Sequence, residues 1–202
     1  RTSNSCCPTN AALLSVTKIS HFMKIGLFGG SFDPIHCGHL ELARCCRTQA
    51  KLDEVWFTPA AQQPLKPQGP QAADGHRARM IELAIADSGA FRLCSMELER
   101  GGISYTVDTL RTIHQQQPAT LFLMLGADAV ADLPNWRAPE EILSLATLLV
   151  VRRAGEPTRK ISLDAIEIDM PAVDVSSSEI RQRVATGQTL EGLVSPTVAA
   201  AI

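Results

Sequence analysis

The stretch GLFGGSFDPIHCGHLELA, residues 26–43, decides the fold because it joins an apolar, strand-like run to the start of a helix. Gly29 and Gly30 end the run where the backbone must turn and approach a bound group closely, and residues without a Cβ meet both demands. Two glycines after a strand also occur in many ordinary turns. They therefore indicate a ligand site only together with the residues that follow them.

Two histidines follow in the same turn, after an Asp33-Pro34 pair that fixes the direction of the chain. His36 and His39 are three residues apart at the start of the helix, which places them on one face of its first turn. The amide N–H groups of a helix start favour an anion, and imidazoles add further donors. A single histidine is most often an ordinary surface or core residue, but the combination in one strand-to-helix turn predicts a phosphate site.

Short apolar segments alternate with helical segments along the rest of the chain. Strands are predicted at Lys24–Phe28, Glu54–Thr58, Phe91–Met96, Thr120–Leu125, Thr147–Arg152 and Ala165–Asp169. Helices are predicted at Gly38–Ala50, His76–Asp87, Thr106–Gln116, Pro139–Leu145 and Ser177–Thr186. This succession predicts an α/β fold with a Rossmann-like, doubly wound, mostly parallel sheet and helices on both faces. Such folds bind ligands beyond the carboxyl ends of their strands.

A second anion-binding element is predicted in DVSSSEIRQRV, residues 174–184. Ser176 and Glu179 have the spacing of a capping box, which predicts a helix that begins at Ser177 and carries Arg181 in its first turns. A capping serine and a solvated arginine need no ligand to explain them. Hydroxyls and a guanidinium at a helix N-terminus also suit the outer phosphates of a nucleotide. Two anion sites from opposite ends of one domain indicate a triphosphate.

The composition argues against several classes of protein. The chain has 202 residues, enough for one domain, and its 19 Lys and Arg against 21 Asp and Glu leave no basic surplus for nucleic acid or an acidic membrane surface. No segment approaches the roughly 18 apolar residues of a membrane span. The six cysteines include no CxxC spacing, which disfavours a zinc site or a secreted disulfide framework and indicates a reduced, cytoplasmic protein.

The first 22 residues, RTSNSCCPTNAALLSVTKISHF, differ from the rest. They are polar, and their apolar part AALLSV is too short for the core of a signal peptide. We expect residues 1–22 to be a disordered leader or extension, and residues 23–202 to form a single domain that begins at Met23.

Together the motifs resemble a known family. GGSFDPIHCGH carries the HxGH pattern of the nucleotidyltransferase superfamily, and with VSSSEIR it resembles the bacterial nicotinate-nucleotide adenylyltransferases. The resemblance continues through HRARMIELAIAD, ISYTVDTL, GADAVADLPNWRAPEEIL and LLVVRRAG, so it covers nearly all of a nucleotidyltransferase domain at residues 23–202. The two terminal motifs are shared with pantetheine-phosphate adenylyltransferases and in part with cytidylyltransferases, whereas GADAVADLPNW favours the nicotinate branch.

This resemblance implies transfer of AMP from ATP to nicotinate mononucleotide in NAD biosynthesis, with deamido-NAD and pyrophosphate as products. The 5′-phosphate of the acceptor is already an oxyanion, so the site needs no base and has to align it for in-line attack on the α-phosphorus. The implied cofactor is Mg²⁺, which bridges phosphate oxygens and needs few protein ligands; we predict no metal ligand from the protein. A homo-oligomer is left open.

The resemblance also implies roles for individual residues. The expected catalytic residues are His36, His39 and Arg181, of which the histidines hold the α-phosphate region in the transition state. ATP is expected to contact Gly29, Gly30, Ser31, Phe32, His36, His39, Asp128, Ser177, Ser178 and Arg181, with Asp128 on the ribose side. The acceptor is expected to contact Lys66, Thr106 and Trp136, the last two around the pyridine ring. Arg153 is a further candidate phosphate ligand.

One loop, Pro59–Asp74, departs from the family pattern. Family members carry an asparagine and a PPHK-like sequence here, where this chain has AAQQPLK. Lys66 is kept, but Leu65 takes the histidine position and Ala61 the asparagine position, so one of the two glutamines is expected to substitute. An altered acceptor therefore stays open. Two rival functions also stay open: a pantetheine-phosphate adenylyltransferase, and a nucleotide sensor that binds ATP without releasing pyrophosphate.

Overall fold

The computed structural model describes residues 22–66, 68–154 and 164–202. Within these ranges the strands are β1 (Met23–Gly30), β2 (Glu54–Pro59), β3 (Phe91–Leu93), β4 (Ala119–Gly126), β5 (Thr147–Arg153) and β6 (Ala165–Met170). The helices are α1 (Cys37–Ala50), α2 (Asp74–Ile85), α3 (Met96–Arg100), α4 (Thr106–Gln116), α5 (Ala127–Asp132), α6 (Pro139–Leu145), α7 (Ser177–Ala185) and α8 (Pro196–Ala199). A 3₁₀ turn at Leu133–Asn135 joins α5 to the segment before α6.

The six strands form one sheet in the order β3-β2-β1-β4-β5-β6, and all five pairings are parallel. The chain moves outward from β1 to β3, then crosses back to place β4 on the other side of β1. The predicted Rossmann-like, doubly wound α/β fold is confirmed. Its strand order reverses between β1 and β4, and ligands of such sheets bind at that reversal.

Both faces of the sheet are covered by helices, and each face has its own core. The run LFLML in β4 is buried throughout, as expected for a strand packed on both sides. On one face Phe122 and Met124 pack with buried residues of α1, α2 and α7. On the other face Leu121, Leu123 and Leu125 pack with buried residues of α4 and α6.

All the predicted strands and helices are present, but three short helices were not predicted. The strand predicted to reach Met96 ends at Leu93, because the chain turns at Ser95 into α3. The helices α3, α5 and α8 have only four to six residues, too few to show a helical period in the sequence. Of the leader predicted at residues 1–22, residues 1–21 lie outside the described residues.

One buried cation ties the first turn of α2 to the turn after β1. The side chain of Arg77 is fully buried, and its guanidinium donates to the carbonyl of Ser31 at 2.6 Å and to the carboxylate of Asp74 at 2.6 Å. Its Nε has no hydrogen-bond partner among the described residues. Since Ser31 belongs to the predicted phosphate turn, this arginine supports the backbone on which the site is built.

We expect Arg77→Ala to lower the free energy of unfolding by roughly 2–4 kcal/mol, because it opens a cavity and leaves the Ser31 carbonyl without its donor. Arg79→Ala is the matched control, since this arginine is two residues away on the same helix and largely exposed. Thermal and denaturant unfolding would measure both. Equal midpoints for the two variants would contradict the assigned role of Arg77.

Candidate active site

Two cavities meet at the carboxyl ends of β1 and β4. The first cavity, of about 500 Å³, extends towards the start of α4 and Trp136. The second cavity, of about 660 Å³, extends along the GGSFD turn to the start of α7. The residues that line both are Phe28, Gly29, Gly30, Gln63, Lys66, Gly126, Asp128 and Ala129. The reversal of strand order therefore creates two adjoining binding spaces with a common floor.

The structure brings nearly all of the predicted ATP-contacting residues to the second cavity. Its lining includes Gly29, Gly30, Ser31, Phe32, His39, Asp128, Ser177, Ser178 and Arg181. The exception is His36, which is buried and stacks on His39 with ring centroids 3.7 Å apart. Segments separated by more than a hundred residues thus converge on one space.

The sharp turn after β1 falls at Phe32, not at the glycines. Gly29 and Gly30 both remain in the strand, whereas Phe32 has a φ of +48°, which L-residues rarely adopt. A Cβ on Gly30 would come within 3.1 Å of the Phe32 ring, while one on Gly29 would meet nothing within 4 Å. Gly30 therefore makes room for a buried aromatic ring, and Gly29 leaves the floor of the cavities open.

The two histidines form one unit at the start of α1. His36 is the N-cap residue, and its backbone N–H donates to Nδ1 of His39 at 3.3 Å. A neutral His39 with Nδ1 as acceptor carries its hydrogen on Nε2, where it can donate to a bound oxyanion. A Cβ on Gly38 would lie 3.0 Å from Val175 and 3.2 Å from the His36 ring, so the glycine of HxGH allows this close packing.

Helix α7 docks directly on the turn that follows β1. Ser176 caps the helix by accepting from the Glu179 N–H at 3.1 Å, as predicted. Ser177 Oγ donates to the carbonyl of Pro34 at 2.9 Å, and Arg181 donates to the carbonyl of Asp33 at 2.6 Å. The hydroxyl hydrogen of Ser177 is therefore already engaged, so its hydroxyl oxygen is left to accept.

The carboxylate of Asp33 has a role that the sequence did not indicate. It is buried, and its two oxygens accept from the backbone N–H groups of Gln71 at 2.7 Å and Ala72 at 3.2 Å. The same residue receives Arg181 on its carbonyl. Asp33 thus joins the phosphate turn, the end of the long loop and α7. The sequence indicated only that the Asp33-Pro34 pair fixes a turn.

The predicted acceptor-binding residues Lys66, Thr106 and Trp136 all line the first cavity. Thr106 is the first residue of α4, and Trp136 is half-buried after the 3₁₀ turn. Of the two glutamines in the atypical loop, Gln63 lines both cavities. Leu65 lines the first cavity with 59% of its surface exposed. Arg153 is the last residue of β5.

A buried carboxylate, Glu97, also lines the first cavity and was missed by sequence reasoning. It accepts from Thr109 Oγ1 at 2.7 Å, and Thr109 in turn accepts from Arg100 at 2.9 Å. Burial raises the pKa of the Glu97 carboxyl above its ordinary value, although hydrogen bonds from Thr109 and Ser104 and the charge of Arg100 oppose the shift. A group that resists ionisation therefore faces the space predicted for the acceptor.

The fold and the paired cavities define a nucleotide-binding protein of the doubly wound class, and comparison with known proteins narrows this. The cytidylyltransferase-like family matches residues 27–183. A probable nicotinate-nucleotide adenylyltransferase of Roseiflexus castenholzii is 43% identical over 176 residues, which cover 83% of this chain and 88% of that protein. One from Rhodopirellula baltica is 38% identical over 192 residues, covering 88% and 90%. The chain belongs to the nicotinate-nucleotide adenylyltransferase family.

Solved structures share the fold. The nicotinic acid mononucleotide adenylyltransferase of Plasmodium falciparum, complexed with NaAD, superposes with a TM-score of 0.75 at 21% identity, covering 89% of this chain and 94% of that chain. A putative nicotinate-nucleotide adenylyltransferase from Vibrio parahaemolyticus superposes with a TM-score of 0.64 at 19% identity, covering 89% and 97%.

We expect Glu97→Gln to stabilise the protein progressively as the pH rises. In the unfolded chain Glu97 ionises at its ordinary pKa, whereas in the folded protein its pKa is higher. The contribution of Glu97 to the free energy of unfolding therefore decreases as the pH rises from the unfolded pKa to the folded pKa. Glutamine has no such dependence and can still accept from Thr109. The melting temperature of the variant relative to wild type should therefore increase as the pH rises above about 4, the ordinary pKa of a glutamate. Glu82→Gln, half-exposed on α2, is the control, and a pH-independent difference for Glu97→Gln would contradict the expectation.

Proposed function

We propose that this protein transfers AMP from ATP to nicotinate mononucleotide and releases deamido-NAD and pyrophosphate. The observation that carries the proposal is the pair of cavities that meet at Gly29, Gly30 and Asp128. Two substrates bound in adjoining spaces would present their reacting phosphates to each other at the common floor. The family relationship and the fold shared with an enzyme complexed with NaAD support this choice of substrates.

The second cavity would hold ATP. Its triphosphate would extend from the GGSFD turn to the start of α7, where Ser178 and Arg181 are positioned to contact the outer phosphates. His39 would donate from Nε2 to the α-phosphate region, with His36 stacked behind it. These groups would stabilise the negative charge that develops as pyrophosphate leaves. Preorganised hydrogen-bond donors contribute most to the rate when they stabilise such developing charge.

The first cavity would hold nicotinate mononucleotide. Lys66 and Gln63 line both cavities, so they are positioned for the attacking 5′-phosphate. Trp136 and Thr106 line the first cavity alone and would surround the pyridine ring. Because this phosphate is already ionised, no protein side chain has to accept a proton from it, and the site has only to align it.

We propose that Mg²⁺ arrives with ATP. Among the described residues no group of three or more His, Cys, Asp or Glu could hold a metal ion. Asp128 is the acidic residue described in the lining of both cavities, which suits an ion held mainly by phosphate oxygens. When bound, Mg²⁺ would neutralise part of the negative charge on the phosphates.

We place this reaction in the cytoplasm, in one domain spanning residues 23–202, with no nucleic-acid partner. The described cysteines, Cys37, Cys45, Cys46 and Cys94, are free thiols, which suits a reducing compartment. No helix within the described ranges is long and apolar enough to cross a membrane.

The deciding experiment is a pyrophosphate-release assay with ATP and three acceptors: nicotinate mononucleotide, nicotinamide mononucleotide and phosphopantetheine. Release with the first far above the others is the expected result. Release with phosphopantetheine would instead favour a pantetheine-phosphate adenylyltransferase, and ATP binding without release from any acceptor would favour a nucleotide sensor.

We expect His39→Ala to lower kcat by roughly 10²–10³, the scale of losing one donor to transition-state charge, with a smaller effect on the KM for ATP. We expect His36→Ala also to lower kcat, because it removes the ring that stacks behind His39. His114→Ala on the exposed end of α4 is the control. Steady-state kinetics and a thermal melt would be measured together. A folded His39→Ala protein with wild-type turnover would remove this histidine from the mechanism.

We expect Trp136→Ala to raise the KM for nicotinate mononucleotide more than the KM for ATP, because it removes aromatic contact with one substrate only. Trp136→Phe retains a ring and should change either KM much less. If Trp136 serves packing alone, the alanine variant should instead lose stability and leave the ratio of the two KM values unchanged.

A further inference from the structure

The residue after Trp136 is an arginine whose charge the proposed mechanism has not used. Arg137 lines the first cavity, and its guanidinium carbon lies 4.7 Å from the centroid of the Tyr105 ring. One terminal nitrogen lies 3.4 Å from a carboxylate oxygen of Asp108. No other hydrogen bond of this guanidinium is found among the described residues, and 56% of the side chain is exposed. Several of its donors therefore remain available to a ligand.

The pairing of Arg137 with Asp108 is shared with another cation. Arg111 approaches Asp108 at 2.9 Å and also donates through two nitrogens to Glu141. Asp108 therefore keeps a close cationic partner when Arg137 turns towards a different anion. The guanidinium lies over the Tyr105 ring, and this cation–π contact does not consume its N–H groups.

The two described cations that line the first cavity occupy different positions in it. The cations described there are Lys66 and Arg137, against the acidic residues Glu97, Asp128 and Asp132. Lys66 also lines the second cavity and is therefore near the junction, where phosphates would meet. Arg137 lines the first cavity alone, beside the tryptophan predicted to stack on the pyridine ring. Arg137 is therefore positioned as a counter-charge for an anionic group on that ring.

We propose that Arg137 is a specificity-determining residue that binds the carboxylate on the pyridine ring of the acceptor and so favours the acid over the amide. The proposal rests on the function proposed above and adds to it the group that reads the acceptor. A guanidinium makes charge-assisted hydrogen bonds to a carboxylate, whereas the NH₂ of a carboxamide presents it with another donor. Discrimination thus comes from attraction to one substituent and mismatch with the other.

The test compares Arg137→Gln and Arg137→Lys with wild type, using kcat/KM for nicotinate mononucleotide and for nicotinamide mononucleotide. Arg137→Gln should lower kcat/KM for the acid by roughly tenfold, the scale of one partly exposed charge-assisted contact, and leave the value for the amide within about twofold. The KM for ATP should not change. Arg137→Lys keeps the positive charge but lacks the planar, forked donors of a guanidinium. Its kcat/KM for the acid should therefore lie between those of wild type and Arg137→Gln.

Arg92→Gln is the matched control. Arg92 lies on the outer strand β3 and pairs with Glu54 of β2 at 3.1 Å. Its side chain is 57% exposed, close to the value for Arg137. It lines neither cavity, so its loss should leave both kcat/KM values unchanged. This control separates a specific contact from the general loss of one positive surface charge.

An unchanged ratio of acid to amide in Arg137→Gln would overturn the proposal, as would an equal fall for both acceptors. Calorimetric titration of wild type and Arg137→Gln with each mononucleotide supplies a second readout that does not need turnover. If wild type releases no pyrophosphate with the acid, the proposed function fails. In that event the calorimetric titration still tests the role of Arg137. Equal affinity of wild type for the acid and the amide would exclude that role.

Discussion

The site depends on a single buried aspartate. Asp33 accepts hydrogen bonds on its carboxylate from Gln71 and Ala72 and on its carbonyl from Arg181. The carboxylate is nearly inaccessible to water, so each bond that is lost would leave a buried polar atom unsatisfied. The phosphate turn, the loop from β2 and helix α7 are therefore held in one arrangement by contacts that span almost the whole chain.

The doubly wound sheet explains how two cavities adjoin at one end of the sheet. Successive side chains of a strand point to opposite faces. The buried lining of the first cavity includes Leu27 and Leu123 from the core on the side of α4 and α6. The second cavity includes Phe32 and Val151 from the core on the side of α1 and α7. Phe28 and Met124 from this second core also line the first cavity, so the two cavities adjoin at the strand ends where the sheet order reverses.

The sequence predicted what depends on local pattern and missed what depends on distant contacts. The alternation of strands and helices predicted the fold, and the HxGH spacing predicted the histidine pair. Both are local properties of the sequence. The bond between Asp33 and Arg181 joins residues 148 positions apart, and no local pattern reports it. The strain at Phe32 was assigned instead to the glycines before it, since glycine is the usual residue in a sharp turn. Arg137 looked like any exposed arginine until the cavity beside it was known.

The atypical loop AAQQPLK keeps its anchor although its side chains differ from the family pattern. The backbone N–H of Ala61 donates to Ser104 Oγ at 3.0 Å, and the N–H of Ser104 donates to the carbonyl of Gln62 at 2.8 Å. On the loop side these bonds use the backbone N–H of Ala61 and the carbonyl of Gln62, which do not depend on the side chain, so an alanine at position 61 still anchors the segment. Because the loop stays attached to the start of α4, Gln63 and Lys66 are held at the junction of the two cavities.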